Sequence, residues 1–503
     1  MQPCGDDADR GSREPVIENK ESVQRMSNDF AWLSAAEITG LIRARKASAV
    51  EVMHATLARA ERAQSALNCF ITICADEALP DAKAADEAVA RGDDLGPLHG
   101  VPLHVKDLVN TKGVRTTFAS LMYQHNVPDT DAVSVARLKS AGAILMGKTT
   151  TPEFGHMPFT EAPLFGRTCN PYDPSRTSGG SSGGAAAATA VGVGPLAIGT
   201  DAGGSTRIPA ACCGVVGFKQ SLGLVPHDMA ADTFGNMSYI TPTTRTVMDS
   251  ALMLQAMGGA DPADIHSFGA STEGLVEAAR GEGDLKGLRI GWRPYLGNTV
   301  VDSEVLTRCE QVADMLGDLG AIVEPMGDDM EPTEPMWLVV STALWNARFS
   351  DQLPKWRDKM SPTLVRQMAG GGQHTAEMLA RAALQRTAIY RRVQGWFDRY
   401  DIILTPTLTR TALPIQEKLF EPIEIEGKIV DSIRKAWYPY THPFNLTGNP
   451  AVTLPAGLHS DGLPIAAQLI ARRGADALLL RASALFEQAM PWADIRPKVV
   501  GLG

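Results

Sequence analysis

The chain has 503 residues, too many for one small domain and enough for two or three units or one large α/β domain. Hydrophobic residues make up 44% and charged residues 21% of the chain, which excludes disorder over most of its length. The formal net charge is −10 and no block of basic residues occurs, so neither nucleic acid nor an anionic membrane is expected as a partner.

The amino-terminal segment is polar and acidic, and it lacks the basic start and apolar core of a signal peptide. We therefore expect residues 1–27 to form a mobile arm and residues 28–503 to form a single large domain. The least polar stretch, 185–199, is too short to span a bilayer. The seven cysteines include no C-x-x-C pair, so reduced thiols in a cytoplasmic protein are expected.

Helices and strands alternate along the first part of the chain. A serine followed three residues later by a glutamate predicts helix starts at Ser34 and Ser48. An alanine-rich segment predicts a third helix over 80–91. The next expected elements are a strand over 101–109, a helix over 134–140 and a strand over 143–146.

The second half of the chain continues this alternation. Apolar residues at helical spacing predict a helix over 305–319, and a last helix is expected over 475–490. The expected strands lie at 288–292, 321–323, 402–404, 451–454 and 464–470. The pattern predicts an α/β fold in which a large mixed central sheet is covered by helices on both faces.

Residues 328–400 differ from the rest of the chain because they hold four tryptophans, Trp337, Trp345, Trp356 and Trp396. The segment is predicted to be helical with loops, among them the three glycines at 370–372, and to form an insertion on the substrate side. Two interpretations stay open here, because the rings either line a pocket or pack the added helices together.

Two short matches to catalytic patterns are weak because their surroundings do not fit. Residues 142–149 match the phosphate-binding loop G-x4-G-K-[ST], but their apolar middle is typical of a strand and Pro152 follows closely. Residues 179–183 match the nucleophile elbow G-x-S-x-G, but no strand precedes them. A histidine-dependent α/β-hydrolase esterase therefore stands only as an alternative.

The strongest chemical signal is the segment 178–209, which contains two Gly-Gly-Ser units that end at Ser181 and Ser205. Successive glycines let backbone amides converge on one point, as the oxyanion of acyl transfer requires. A flexible linker would have a similar composition. The apolar run at 195–198, followed by Asp201 and Arg207, argues against a linker.

No histidine stands in a pattern that pairs it with these serines. A lysine can activate a serine when burial lowers the lysine pKa and makes the neutral amine available. Lys106 is a candidate because Val101, Leu103 and Val105 precede it. The alternative is a lysine that extends its amine to the surface.

Four segments together resemble the amidase signature family: 100–107, 179–184, 199–209 and 445–450. The similarity covers about 32–492, and the segments follow the family's order. The resemblance implies that Ser205 is the nucleophile that forms the acyl-enzyme. It also implies that Ser181, after a cis peptide bond at Gly180, is a relay serine, and that Lys106 is the terminal base and acid.

The resemblance also implies supporting residues. The oxyanion hole would consist of the backbone amides of Ala202, Gly203, Gly204 and Ser205. Polar support would come from Ser182, Asp201 and Arg207, and substrate contacts from Gly155, Met157 and Gly180. Neither a metal nor an organic cofactor is implied, and the partner is a small-molecule amide or related acyl compound.

The reaction implied by the resemblance is hydrolysis of a carboxylic amide, and esters and carbamates present the same acyl carbonyl. The glutamine-hydrolysing subunit of tRNA amidotransferases is an alternative. That subunit is expected to carry an acidic residue three positions before the threonine of its Asp-x-x-Thr-x-x-x-Asn pattern. This chain has Tyr438 before Thr441, so we expect an aryl or small neutral amide instead.

A non-enzymatic, partner-binding scaffold is a further alternative. It is disfavoured because all three catalytic positions hold competent residues, Lys106, Ser181 and Ser205. Neither nucleic acid nor a membrane is expected as a partner, and the sequence leaves a homodimer open.

Overall fold

The computed structural model describes residues 30–327, 330–499 and 501–502. The arm predicted at 1–27 lies outside these residues. The described strands are β1 (Phe70–Ile73), β2 (Pro102–Lys106), β3 (Ile144–Thr149), β4 (Glu161–Ala162), β5 (Gly166–Arg167), β6 (Leu196–Asp201), β7 (Val216–Lys219), β8 (Tyr239–Thr244), β9 (Arg289–Trp292), β10 (Ile322–Pro325), β11 (Ile402–Pro406), β12 (Ile423–Ile425), β13 (Lys428–Val430), β14 (Ala451–Leu458) and β15 (Pro464–Ala471).

The described α-helices are α1 (Ala35–Arg43), α2 (Ala49–Leu67), α3 (Ala75–Arg91), α4 (Val133–Ser140), α5 (Gly183–Ala190), α6 (Arg207–Cys213), α7 (Val247–Met257), α8 (Leu275–Ala278), α9 (Ser303–Asp318), α10 (Glu334–Phe349), α11 (Leu353–Trp356), α12 (Pro362–Gly371), α13 (Ala376–Trp396), α14 (Ile433–Ala436), α15 (His442–Thr447) and α16 (Asp476–Ala489). Within the described ranges, none of these helices is long and apolar enough to cross a membrane.

The strands form an 11-stranded mixed sheet, with the order β1-β3-β2-β6-β8-β7-β14-β15-β11-β9-β10. Its strands are parallel in two groups, β3-β2-β6 and β11-β9-β10, and antiparallel between these groups. Helices cover both faces of this sheet, which confirms the predicted fold class. Two hairpins, β4-β5 and β12-β13, stand apart from it.

The first helices begin where the sequence predicts. Ser34 accepts a hydrogen bond from the Glu37 amide while the Glu37 carboxylate accepts one from the Ser34 amide, and Ser48 and Glu51 repeat the arrangement. The third helix starts earlier than predicted, at Ala75, and Pro80 lies inside it. Acidic residues in its first turn, Asp76 and Glu77, favour this start because they face the positive end of the helix dipole.

The segment rich in glycine, serine and alanine contains elements that periodicity does not reveal. All eight residues of α5 are buried, so this helix has no polar face. A side chain at Gly184 would place its Cβ 2.3 Å from Thr150 Oγ1. Small residues are needed here because the helix lies directly against its neighbours.

The buried apolar side chains form two clusters. The larger includes residues from both ends of the sheet and from the helices around it. The smaller belongs mainly to the helices between 334 and 396 and includes Trp337, Trp345 and Phe349. Val393 and Trp396, at the end of α13, join the larger cluster instead. The predicted helical insertion thus has a hydrophobic centre of its own.

Candidate active site

Neighbouring parallel strands bring the candidate catalytic residues to one edge of the sheet. Lys106 is the last residue of β2, and Ser205 follows the end of β6. These strands pair in parallel, with Val105 opposite Ile198, so their carboxyl ends meet. Ser181 lies just before α5, and its peptide bond with Gly180 is cis, as the resemblance implied.

The Lys106 amine lies among hydroxyl groups. Its Nζ is 2.7 Å from Ser181 Oγ, 2.9 Å from Ser182 Oγ and 2.8 Å from Thr200 Oγ1. The side chain is fully buried, and in the described part of the chain no carboxylate forms an ion pair with it. Burial lowers the Lys106 pKa well below its usual value, and the more distant Asp201 opposes this shift only in part.

The hydroxyl neighbours of Lys106 can accommodate a neutral amine as well as an ammonium group. Ser182 Oγ donates to the Thr200 carbonyl at 3.2 Å, so it is free to accept from Lys106 Nζ. A neutral amine has two N–H groups and one lone pair. It can therefore donate to Ser182 and Thr200 while its lone pair accepts the Ser181 proton.

A buried ion pair supports the turn after β6. Arg207 donates to both carboxylate oxygens of Asp201, with Nε and Nη2 each at 3.0 Å. Asn445 Nδ2 also donates to Asp201 Oδ1 at 2.9 Å. Burial alone would raise the pKa of Asp201, but the Arg207 charge and these hydrogen bonds outweigh it and hold that pKa well below its usual range.

Three carbonyls of this turn are tied to residues distant in sequence. Asn445 Nδ2 donates to the Asp201 carbonyl, Trp337 Nε1 to the Ala202 carbonyl and Thr441 Oγ1 to the Gly203 carbonyl, over 2.9, 2.9 and 2.7 Å. Because a trans peptide is planar, each bond also fixes the direction of the N–H on the opposite side. The turn is therefore held rigid before any substrate arrives.

The four amides predicted for the oxyanion hole differ in whether they already donate a hydrogen bond within the protein. The Gly204 amide donates to Asp201 Oδ1 at 2.7 Å, whereas those of Ala202, Gly203 and Ser205 donate to no other described residue. Gly204 has a φ of +117°, a conformation that a side chain would strain. At Gly203 a Cβ would lie 2.8 Å from the Trp337 ring.

A cavity of about 440 Å³ opens in front of these residues. Ser181, Ser205 and the three predicted substrate contacts, Gly155, Met157 and Gly180, line it. Gly155 lies so close to the relay serine that a Cβ there would be 3.3 Å from Ser181 Oγ. Most of the remaining wall is apolar or aromatic, as is typical of a pocket for a small organic molecule.

The four tryptophans of the helical insertion divide between the two interpretations. Trp337 and Trp345 line the cavity, with ring centroids 6.4 Å apart. Trp396 packs in the large core, where the Arg293 guanidinium lies 4.3 Å from its ring centroid. Trp356 packs beside the smaller cluster and does not line the cavity.

The described contacts favour lysine over histidine as the partner of these serines. Each histidine hydrogen bond in the described ranges goes to a group other than Ser181 or Ser205. No direct hydrogen bond joins Ser181 Oγ to Ser205 Oγ there, although both serines face the cavity. The phosphate-loop match fails as expected, because Ile144–Thr149 is a strand and the buried Lys148 donates to Thr111 and Thr116.

The sequence did not predict the roles of three residues at the site, although Trp337 was among the tryptophans considered for a pocket. Thr200 contacts Lys106, Trp337 ties down the Ala202 carbonyl, and Arg434 places a charge on the cavity wall. Thr200 could have been noticed in the sequence, because it carries a hydroxyl group and directly precedes Asp201. The other two contacts join segments distant in the chain, and no local pattern indicates them.

Comparisons with known proteins point to one family. The family model described as Amidase matches residues 51–480. An acylamidase of Rhodococcus erythropolis is 38% identical, over 93% of this chain and 97% of that protein. A glutamyl-tRNA(Gln) amidotransferase component of Acidothermus cellulolyticus is 35% identical, over 92% of this chain and 95% of that protein.

A solved structure is also similar. It is a bacterial aryl acylamidase described as belonging to the amidase signature enzymes, and it superposes with a TM-score of 0.86 at 30% identity, over 93% of this chain and 98% of that one. Sequence and fold thus lead to the same group of proteins. The chain belongs to the amidase signature family and is an amide-hydrolysing enzyme.

Proposed function

We propose that this enzyme hydrolyses amides of aromatic amines through an acyl-enzyme on Ser205, with Ser181 and Lys106 as the proton relay. The observation that supports the proposal most is the fully buried Lys106 amine, 2.7 Å from Ser181 Oγ at the wall of a largely apolar cavity. The similarity to an acylamidase and to an aryl acylamidase supports the substrate class.

In the acylation step Ser205 Oγ bonds to the amide carbonyl carbon. Its proton passes to Ser181 Oγ while the Ser181 proton passes to the neutral Lys106 amine. The amides of Ala202, Gly203 and Ser205 hold the oxyanion. The C–N bond then breaks, and a proton returns from Lys106 through Ser181 to the leaving nitrogen.

In the deacylation step a water molecule attacks the acyl carbonyl carbon. It gives its proton to the same relay, the ester bond to Ser205 breaks, and Ser205 Oγ recovers a proton. The products are a carboxylic acid and an amine. Aryl esters and carbamates present the same acyl carbonyl, so the proposal extends to them.

The expected cytoplasmic location and the homodimer left open by the sequence stay predictions.

The amidotransferase alternative meets an obstacle at Tyr438. This side chain lines the cavity and carries no charge, because burial raises the pKa of its phenol. A free amino acid needs a counter-charge for its ammonium group. The charge on the described cavity wall at this point comes from Arg434, which has the same sign as an ammonium group.

A substrate panel tests the proposal. The purified enzyme is incubated with acetanilide, 4-nitroacetanilide, phenyl acetate, ethyl N-phenylcarbamate and L-glutamine, and products are quantified by liquid chromatography. We expect release of aniline or nitroaniline that is lost in the Ser205→Ala variant, and no glutamate. Glutamate formation without anilide cleavage would contradict the proposal.

A further inference from the structure

The wall of the cavity contains a buried arginine that the catalytic mechanism does not use. Arg434 belongs to α14, is 4% exposed and lines the cavity. Its Nη2 donates to Gln367 Oε1 at 2.8 Å, while its Nε has no hydrogen-bond partner among the described residues. A guanidinium carries five N–H donors and a permanent charge, so one neutral acceptor leaves it poorly satisfied.

No counter-ion balances this charge in the described part of the chain. No carboxylate there lies within 4.0 Å of the Arg434 guanidinium. The buried Glu334 is in the same region, since both residues act electrostatically on Tyr438. Its Oε1 accepts from Ser432 Oγ at 2.7 Å, however, and Glu334 does not line the cavity. An unpaired buried charge is costly, and a ligand of opposite charge would offset that cost.

The charge balance of the cavity wall also favours an anion. Its charged residues are Asp232, Arg348 and Arg434, of which the first two are exposed. His156 and His227 are neutral at pH 7, because burial lowers the pKa of each to about 4. Arg434 therefore supplies the charge that a bound molecule meets out of water, where electrostatic attraction is strongest.

Arg434 lies one aromatic ring away from the oxyanion turn. Its Cζ is 5.9 Å from the centroid of the Trp337 ring. The same indole donates to the Ala202 carbonyl and packs against Gly203. Trp337 thus contacts both the turn that would hold the scissile carbonyl and the Arg434 guanidinium.

We propose that Arg434 binds a carboxylate on the substrate, so that the preferred amides are acylated aromatic amines with an acidic ring substituent. This inference rests on the proposed function. It changes the expectation of a neutral substrate, which was based on the missing charge at Tyr438. The planar guanidinium fork suits a carboxylate, which can accept two parallel hydrogen bonds.

Kinetics with isosteric substrates test this proposal. The 3- and 4-acetamidobenzoates are compared with the matching nitroacetanilides, because a nitro group copies the shape of a carboxylate without its charge. The quantity measured is the ratio of kcat/KM values, anionic over neutral, in the wild type and in variants. Differences in leaving-group reactivity cancel when this ratio is compared between enzymes.

We expect Arg434→Met to lower the ratio by roughly tenfold or more for at least one ring position. Arg434→Lys keeps a charge and should retain part of the preference. The matched control is Arg348→Met, which removes an exposed charge and should change the ratio by less than about threefold because solvent screens it. An equal effect of Arg434→Met on both substrates of each pair, or the loss of preference in Arg348→Met alone, would overturn the proposal.

Binding to the Ser205→Ala variant separates this proposal from the proposed function. Calorimetry gives the dissociation constants of the acetamidobenzoates and of the nitroacetanilides without turnover. Tighter binding of the anion that disappears on adding Arg434→Met supports the carboxylate site even if no amide is cleaved. If Arg434→Met does not fold, the Ser205→Ala variant alone still tests the site. Binding of the acetamidobenzoates that is no tighter than binding of the nitroacetanilides would then overturn the carboxylate site. If the enzyme cleaves anilides but Arg434→Met leaves the anionic-over-neutral ratio of kcat/KM values unchanged, the carboxylate site is overturned and the proposed function stands.

Discussion

In the proposed mechanism, the charge state of Lys106 decides whether the proton relay works. A free lysine has a pKa of about 10.4 and is almost wholly protonated at pH 7. In this enzyme the amine is fully buried, has hydroxyl neighbours and no directly paired carboxylate among the described residues, and its pKa is well below the usual value. Only the neutral amine can take the Ser181 proton.

Activity should therefore rise with pH as the Lys106 amine loses its proton. We expect an acid limb in the pH profile of kcat/KM, because the protonated amine below its lowered pKa has no lone pair for Ser181. Lys106→Ala should remove most of the rate together with this limb. The measurement is kcat/KM on 4-nitroacetanilide between pH 5 and pH 10.

His104 provides a control close to Lys106 in the chain. Burial lowers its pKa to about 3, and its Nε2 is 3.5 Å from Thr189 Oγ1 rather than near a catalytic serine. His104→Ala should keep the acid limb. A limb that disappears in this variant and persists in an active Lys106→Ala enzyme would support a histidine mechanism instead.

Local patterns in the sequence brought out the proposed reacting groups better than the residues that support them. Lys106, Ser181 and Ser205 stand in short segments whose residue types indicate their chemistry. The Trp337 bond to the Ala202 carbonyl spans 135 positions, and Arg434 meets Gln367 across 67. Such contacts depend on how helices and loops fold back over the sheet, which residue types alone do not determine.

Two carboxylates, the buried Asp249 and the half-buried Glu487, link helices to one another. Asp249 in α7 accepts from the first amide of α1, Ala35 N, at 2.9 Å, while Glu487 in α16 accepts from Val247 N at 3.0 Å. Burial raises the pKa of Asp249 to about 6 despite the nearby Arg245. The folded state therefore holds a proton that the unfolded chain releases near pH 4.

Removing this carboxylate should stabilise the enzyme in a pH-dependent way. A raised folded-state pKa means that stability from this group falls as pH rises from about 4 to about 6. Asp249→Asn can still accept from Ala35, and it avoids the buried charge. We expect it to raise the free energy of unfolding by about 1–3 kcal/mol at pH 7.5, with the gain shrinking towards pH 4.5. Urea titrations at both pH values measure this, and a pH-independent change would refute the assignment.

The helices of the insertion should control substrate selectivity through the rings that face the cavity. Trp345 in α10 lines the cavity and packs edge-on against Trp337. We expect Trp345→Ala to lower the ratio of kcat/KM values for aryl over small aliphatic amides by roughly tenfold, because a large apolar contact with the aryl ring is lost. The matched control is Trp356→Ala, which should alter the melting temperature more than this ratio. The opposite result for the two variants would place the aryl subsite elsewhere.

Periodic elements were predicted well, whereas the helices that follow Ser181 and Ser205 were not. The predicted helix over 305–319 and the predicted strand over 464–470 match Ser303–Asp318 and Pro464–Ala471. Neither α5 nor α6 was predicted, because helices that are buried on all sides show no apolar stripe. The glycines at 370–372 were expected in a loop, yet Gly370 and Gly371 end α12.

The central sheet and the helices between 334 and 396 have different tasks in the molecule. The sheet brings Lys106 and the Ser205 turn together at the ends of adjacent parallel strands. The insertion, with its own apolar cluster, supplies one wall of the cavity and the Trp337 bond to the turn. The alternation of elements predicted the α/β class. The order of the eleven strands could not be predicted from the sequence, because neighbouring strands in the sheet come from distant parts of the chain.

In the proposed mechanism Ser205, and not Ser181, forms the covalent bond to the substrate. The most direct measurement is labelling with a fluorophosphonate, followed by intact mass and peptide mapping of the wild type, Ser205→Ala and Ser181→Ala. We predict one adduct per chain on Ser205, no adduct in Ser205→Ala and slow labelling of Ser205 in Ser181→Ala, because the relay serine only moves protons. A stable adduct on Ser181, with Ser205→Ala still labelled at the wild-type rate, would contradict this mechanism.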